Sequence, residues 1–484
     1  MKKISALLGL FLLALPFTSC QEDLDDVIVP ASENEINDFI YKAMNVWYLY
    51  KPQVPALAND RFSTQQELNE FLNNFSSPES FYFDGLVIDE DRFSFIVDDY
   101  RVLEDQFAGV SKNNGMNFGL VLASSNSNSV LGFVRYVLPN TSASENNVER
   151  GLLFNSVNGV DMFVVDGSLN EEAGAQLAMD TYTITVATVI NGEVIETGEE
   201  ITLTKVEYTS NPVFITKTLD VDGIKVGYLM YNSFTSNFNE ALNNAFGELK
   251  AAGIDKMVLD LRYNGGGAIS TATDLGEMIT GQFNGDIFAS LVYNPQIQAA
   301  LESQDTENLL FRFDGNLTGS EDALNTLGLT DIAIITTSRT ASASELVING
   351  LEPYIDVIQV GETTTGKFQG SRTLYDSDAP NFGRNNVNPN HFYAIQPLIL
   401  TSANADGTTG FINGLAPDIA IDESPGNLGI LGDPSEPLLA AALAQLTKSK
   451  YDLPEKTQPL QIIGESGMDS PLYQEMYILP EDLQ

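Results

Sequence analysis

Three short blocks carry residues whose types and spacing could do chemistry. The first is Arg339-Thr340-Ala341-Ser342-Ala343-Ser344-Glu345. It follows an apolar run at 332–336 that reads as a buried strand, and it precedes a helix expected over 343–351. A serine at that junction stands at the carboxyl end of a strand. The free N–H groups of the first helical turn face the same space and can stabilise an oxyanion. Ser342 to Glu345 also spell a capping box, so a plain helix start explains the same four residues. The second block ends in Lys367, 25 positions after Ser342, in a Gly/Thr-rich loop after a strand at 357–360. A helix and one more strand return the chain to the same sheet end, which suits an amine meeting a hydroxyl. A lysine at its reference pKa of about 10.4 is a poor base at neutral pH, and burial without an acidic partner lowers that value. Its glycine and threonine neighbours leave it unneutralised, whereas Glu362 would neutralise it by pointing inward. Taken alone, Lys367 reads as a solvated loop lysine. The third block, Asp260-Leu261-Arg262-Tyr263-Asn264-Gly265-Gly266-Gly267, begins at the end of a buried strand. Its glycines permit close backbone approach and a second oxyanion donor. It is not G-x-G-x-x-G and has no P-loop lysine, which excludes the usual nucleotide sites.

The composition removes other chemistries. The chain has one histidine, His391, and one cysteine, Cys20, so an H-E-x-x-H zinc site and a Cys–His pair are excluded, and no metal or organic cofactor is expected. A Ser-His-Asp triad would need His391, which sits in Asn390-His391-Phe392-Tyr393 beside an expected strand and reads as structural.

The elements that must position these blocks follow from periodicity. Residues 31–105 read as a helical domain: Ser32 with Glu35 is a capping box, Ile36, Phe39, Ile40, Ala43, Met44 and Trp47 recur at helical spacing, and Ser63 with Gln66 opens a second helix. Trp47 is expected in the core. Residues 106–207 read as a β-rich module, with strands at 130–138 and 154–157, a short helix at 169–179, and strands at 182–190 and 193–195 about an Asn191-Gly192 turn. Residues 208–424 alternate strand and helix: strand 224–231, helix 237–249, strand 257–261, helix 270–279, strand 332–336, helix 343–351 and strand 357–360. A tight turn, Gly414-Leu415-Ala416-Pro417-Asp418, closes this part. Residues 425–484 read as an extension with a Pro/Gly-rich joint, a helix at 438–446 and a polar tail.

The order Asp260–Gly267, Thr340–Glu345, Gly366-Lys367 and Gly414–Asp418 resembles the motif series of the C-terminal processing peptidases, or tail-specific proteases, over residues 85–424. The resemblance implies a multidomain α/β (α+β) protein: a crotonase/ClpP-like α/β protease core, an inserted PDZ-like β module at 106–207, and the N-terminal helical domain. It implies a serine-type endopeptidase with Ser342 as nucleophile, Lys367 as general base, and the amides of Ala343 and Gly266, with Gly265, as oxyanion hole. The substrate would be a polypeptide engaged through its C-terminus. Met116-Asn117-Phe118-Gly119 would be the PDZ-like loop that receives a peptide carboxylate, walled by the 169–179 helix. Many relatives place Gln four residues after the lysine; this chain has Ser371 there, with Gln369 as its rival for orienting the amine. That departure leaves open a competing reading, a non-catalytic peptide- or ligand-binding lipoprotein on the same scaffold.

The N-terminus reads as a secretory signal at 1–19: Lys2 and Lys3, an apolar run at 4–17, then Thr18-Ser19-Cys20. This resembles a bacterial lipoprotein signal, with Cys20 lipidated and residues 20–30 as an acidic tether; it departs at Phe17, where Leu is commoner. The location implied is the bacterial cell envelope, at the outer membrane, facing periplasm or surface, with the membrane reached by the lipid anchor only. A formal net charge of −42 repels phosphate backbones and argues against nucleic-acid binding.

Overall fold

The computed structural model describes residues 30–124, 127–190, 193–423, 425–426, 428–449, 461–479 and 482. The signal segment and Cys20 lie outside the described residues.

Helix α1 (Glu33–Trp47) starts as its capping box requires: Ser32 Oγ accepts from the Glu35 N–H, and Glu35 accepts in return from the Ser32 N–H. Its periodic face is buried, Trp47 included at 6% exposure. Helix α2 (Gln65–Leu72) is capped one place later than expected, by Thr64 rather than Ser63. Glu67 explains the shift, because its carboxylate takes the Ser63 N–H and leaves the threonine hydroxyl to cap. Both helices join the same apolar core as the α/β part of the chain.

The β module has its own core, around Phe118, Val134, Phe154, Ile184 and Leu203. Its strands are β1 (Met116–Leu122), β2 (Val130–Val137), β3 (Leu153–Val157), β4 (Thr181–Ile190) and β5 (Glu193–Thr204). They pair antiparallel in spatial order β5-β4-β3-β2-β1. Helix α3 (Glu171–Ala178) packs Ala173 into that core. Residues 116–119, expected as a loop, are the first half of β1. Their alternation puts Met116 and Phe118 inward, and strand pairing satisfies the backbone better than an open loop.

The α/β core is built on β6 (Val213–Val221), β7 (Ile224–Tyr231), β8 (Lys256–Asp260), then β12 (Asp331–Thr336), β13 (Asp356–Gly361) and β16 (Ile419–Ala420), in that spatial order. From β7 onward the pairs are parallel. Leu229, Leu259 and Ile334 face one apolar cluster, which takes helices α5 (Ile269–Thr280) and α6 (Ala343–Leu351). Tyr228, Val258, Ala333 and Ile335 face the other, with helix α7 (Pro437–Thr447). Burial on both faces is why these strands read as continuous apolar runs. Helix α4 (Asn239–Ala252) connects β7 to β8. A second sheet has the order β9-β18-β14-β15-β10-β11, made of β9 (Gly267–Ala268), β10 (Ile287–Tyr293), β11 (Leu310–Arg312), β14 (Gln369–Ser371), β15 (Leu398–Ala403) and β18 (Met476–Tyr477).

The polar tail expected at the C-terminal end is structural. Strand β17 (Ile462–Glu465) adds to the free edge of β1, and β18 inserts between β9 and β14. Met476, Tyr477 and Ile478 are buried there. These strands are two to four residues long, too short to show a period.

Candidate functional site

The three blocks leave the carboxyl ends of adjacent parallel strands: 261–266 from β8, 337–342 from β12, and 362–367 from β13. In open α/β sheets that edge is where loops converge on a ligand. Hydrogen bonds to backbone carbonyls stitch the loops together. Thr340 Oγ1 donates to the Leu261 carbonyl at 2.9 Å, Ser344 Oγ to the Asn264 carbonyl at 3.1 Å, and the Thr365 N–H to the Thr340 carbonyl at 3.0 Å. Arg262, fully buried, is paired with Asp260, Glu423 and Glu436, so this block also anchors the start of α7.

Ser342 begins α6 with φ +66°, a left-handed backbone that costs a non-glycine residue about 1–3 kcal/mol. The capping box is half realised. The Ser342 N–H donates to Glu345 Oε2 at 2.7 Å, but the buried Ser342 Oγ has no hydrogen-bond partner among the described residues. The helix start alone therefore does not employ this hydroxyl. Beside it, a Cβ built on Gly266 would lie 2.7 Å from Ser342 Cβ and 3.1 Å from the Ala343 nitrogen. Only glycine lets the backbone approach so closely.

Glu345 joins the two reactive segments. Its Oε2 accepts from the N–H groups of both Ser342, at 2.7 Å, and Lys367, at 2.9 Å. Its Oε1 accepts from the Gly366 N–H at 2.7 Å and Thr364 Oγ1 at 2.5 Å. Burial pushes the Glu345 carboxyl up, against those hydrogen bonds. The Gly414–Asp418 turn braces the same loop: the Leu415 N–H donates to Thr364 Oγ1 at 2.7 Å, and Asp418 accepts from the Gln359 N–H at 2.8 Å.

Lys367 is fully buried, with Nζ 4.7 Å from the centre of the Phe93 ring. Burial lowers its pKa, while the Glu475 carboxylate pulls the other way. Nζ donates to Glu475 Oε2 at 2.6 Å and to the Gln474 carbonyl at 2.9 Å. Its acidic partner is thus Glu475 from the tail, and not Glu362, which accepts from the N–H groups of Ser338 and Glu423. Ser371 does not hydrogen-bond the amine directly: its Oγ donates to the other oxygen of Glu475 and accepts from Gln396 Nε2 at 2.9 Å. Gln369 donates to the Tyr50 hydroxyl at 3.1 Å. Neither residue partners the amine as expected, because Glu475, just ahead of β18, takes both the amine and the Ser371 hydroxyl, and Tyr50 takes Gln369. Gly266 is spent as well, its N–H donating to Asn264 Oδ1 at 2.9 Å, so Ala343 is the better placed of the expected oxyanion donors. His391 lies against Asp376, with Nε2 at 3.0 Å, as a structural residue would. Glu345, Asn264 and Glu475 were missed by sequence reasoning. Glu345 and Asn264 carried a signal, as members of the serine and glycine blocks, whereas Glu475 lies in the tail and carried none.

An α/β core whose parallel strands bring a helix-mouth serine and a buried lysine to one edge defines a recognisable class. The model for Peptidase family S41 matches residues 225–420, and that for the Peptidase S41 N-terminal domain matches 35–95, together more than half of the chain. The chain belongs to this peptidase family. It is 26% identical over 232 residues to a carboxyl-terminal-processing protease of Picosynechococcus sp., covering 48% of this chain and 49% of that one. It is 28% identical over 174 residues to a chloroplastic C-terminal processing peptidase of Tetradesmus obliquus, covering 34% and 33%. The chain thus spans half or less of the length of these curated relatives. The solved structure of an S41-family protein from Bacteroides fragilis shares the fold, with TM-score 0.65 and 23% identity, covering 85% of this chain and 97% of that one.

Proposed function

We propose that the chain is a serine endopeptidase of the C-terminal processing kind, cutting through an acyl-enzyme on Ser342 with Lys367 as general base. The observation that carries this is the pairing of a buried, unpartnered Ser342 Oγ with a desolvated lysine whose backbone hangs on the same carboxylate oxygen. In the reaction Nζ takes the hydroxyl proton as Oγ attacks the peptide carbonyl. The Ala343 N–H, at the helix mouth, faces the oxyanion. Nζ then returns the proton to the leaving amine, and water repeats the cycle on the ester. The attack requires Lys367 to leave Glu475, because an ammonium bound to a carboxylate has no lone pair to offer.

The finer parts of the reading are also proposals. The β module acts as a PDZ-like receptor for a substrate C-terminus, supported by the edge of β1, which takes an added strand, and by the flanking α3. A signal segment at 1–19 directs export, and lipidated Cys20 holds the protein at the outer membrane. The test is Ser342→Ala in the purified protein, assayed on an unstructured polypeptide with an apolar C-terminus and with a fluorophosphonate probe. Cleavage and labelling are both expected to vanish; unchanged cleavage refutes the mechanism.

A further inference from the structure

Between the β module and the α/β core lies a cleft of about 1050 Å³, walled by β1, α3, Gly266 and Gly267. The chain's own segment 461–479 forms one wall of this cleft, seated in a groove that runs from β1 to Gly266. At one end β17 pairs antiparallel with β1, Ile462 opposite Val121 and Glu465 opposite Gly119. Ser466 extends the pairing, exchanging hydrogen bonds with the Phe118 backbone at 3.0 Å. Ile463 packs against the module's core beside Leu169 and Leu177. This is strand addition at a sheet edge, the way an extended peptide is bound.

At the other end the segment crosses the reactive groups. The Glu475 carbonyl would stand 2.5 Å from a Cβ on Gly266, at the point where Ser342 Cβ and the Ala343 nitrogen converge. The next two residues, β18, lie between the strand after the glycine block and the strand after the lysine. A peptide presenting its carbonyl to Ser342 needs that slot.

The segment is also matched to the cleft by charge. Glu465 forms an ion pair with Arg135 from β2 and another with Arg339 from the serine loop, at 2.8 Å. Side chains of Arg135, Arg339 and Glu465 are 4%, 11% and 6% exposed. Glu475 meets Lys367, whose side chain is fully buried. Three buried cations from two domains are answered by two carboxylates of one extended segment. Even so, Arg135 Nε and Arg339 Nε have no hydrogen-bond partner among the described residues, which leaves capacity for an acceptor with more oxygens. Removing the carboxylates without replacement would strand buried charge.

From these contacts we infer that the groove along the β1 edge and past Gly266 is a receptor for an extended acidic peptide, and that residues 461–479 are its resident occupant, which a substrate must displace. The inference rests on the peptidase reading for its consequence: while the segment is seated, Ser342 is covered and Lys367 holds its proton against Glu475. A substrate that replaces it carries a carboxylate, from a side chain or a chain end, to meet Arg135 and Arg339.

The test uses the full chain and two release variants: the near-isosteric Glu465→Gln/Glu475→Gln, and Met476→Asp, which puts a charge into the buried β18 slot. Two quantities are read: the rate of fluorophosphonate labelling at Ser342, and the fluorescence anisotropy of a labelled synthetic peptide of residues 461–479. Released chains are expected to label at least tenfold faster than wild type. They should capture the peptide, which slows labelling again, and a peptide with both glutamates changed to glutamine should bind at least tenfold more weakly. Release variants that neither label faster nor capture the peptide overturn the inference, as does equal capture of the glutamine peptide. Capture of the acidic peptide with no labelling of any form upholds the occupancy and counts against the peptidase reading instead.

Discussion

Replacing Glu345 with Gln tests whether one carboxylate aligns the reactive pair. The substitution keeps the size of the side chain but offers one acceptor oxygen where there were two. With the amide oxygen placed at Oε1, Thr364 and Gly366 keep their acceptor, and the new NH₂ faces the N–H groups of Ser342 and Lys367. Two buried donors then lose their partner. At about 1–3 kcal/mol for each unsatisfied group, the loss is about 2–6 kcal/mol. It falls on the two backbone segments that carry the nucleophile and the base. Part will appear as lower stability, and part as separation of the two loops. A misplacement of about 1 Å at a reacting pair costs roughly a hundredfold in rate. The Glu345→Gln protein is therefore expected to show a kcat about a hundredfold lower, a KM changed far less, and a lower urea midpoint. A generally loosened structure would raise KM as well, so the split between kcat and KM separates the roles. Wild-type kcat with a wild-type urea midpoint would refute the reasoning.

Two further substitutions probe the scaffold. Gly366→Ala should cost about 2–3 kcal/mol in urea unfolding and most of the cleavage activity. That glycine has φ +88°, and a Cβ on it would meet the Ile412 carbonyl oxygen at 2.4 Å and the Gly414 nitrogen at 2.6 Å; a stable, active variant would contradict it. Burial raises Asp274 to about 7, against hydrogen bonds from Thr318. A carboxyl raised in the folded state binds more protons than in the unfolded chain, so its contribution to stability is present below the unfolded pKa of about 4 and is lost as pH rises toward 7. At about 1.4 kcal/mol per pH unit, that slope is worth up to about 4 kcal/mol. Asp274→Asn should flatten the urea midpoint between pH 4 and pH 7, and a slope equal to wild type would show that Asp274 does not cause it.

Local pattern carried the elements that hold the site. The strand at 224–231 and the helix at 343–351 have the ends that periodicity indicates, because each is long enough to repeat an apolar period. The serine, lysine and glycine blocks are contiguous motifs, so their types and order were visible in one dimension. The short elements were not. Strands β17 and β18 are polar or too brief for a period, and their pairing with β1, β9 and β14 depends on residues hundreds of positions away. Contacts of that range have no local signature.

The amino-acid sequence by itself determined the strand–helix alternation, the serine at a helix mouth, the lysine one strand further on, and the exclusion of histidine- and thiol-based alternatives. Tertiary structure decided which groups those residues meet. It set Ser342 at φ +66° with a free hydroxyl, hung both reactive loops on Glu345, and gave the lysine to Glu475 rather than Ser371 or Glu362. The reason is physical. A strand or helix is specified by neighbours a few residues away, whereas a buried charge takes the partner that packing brings to it, wherever that partner lies along the chain.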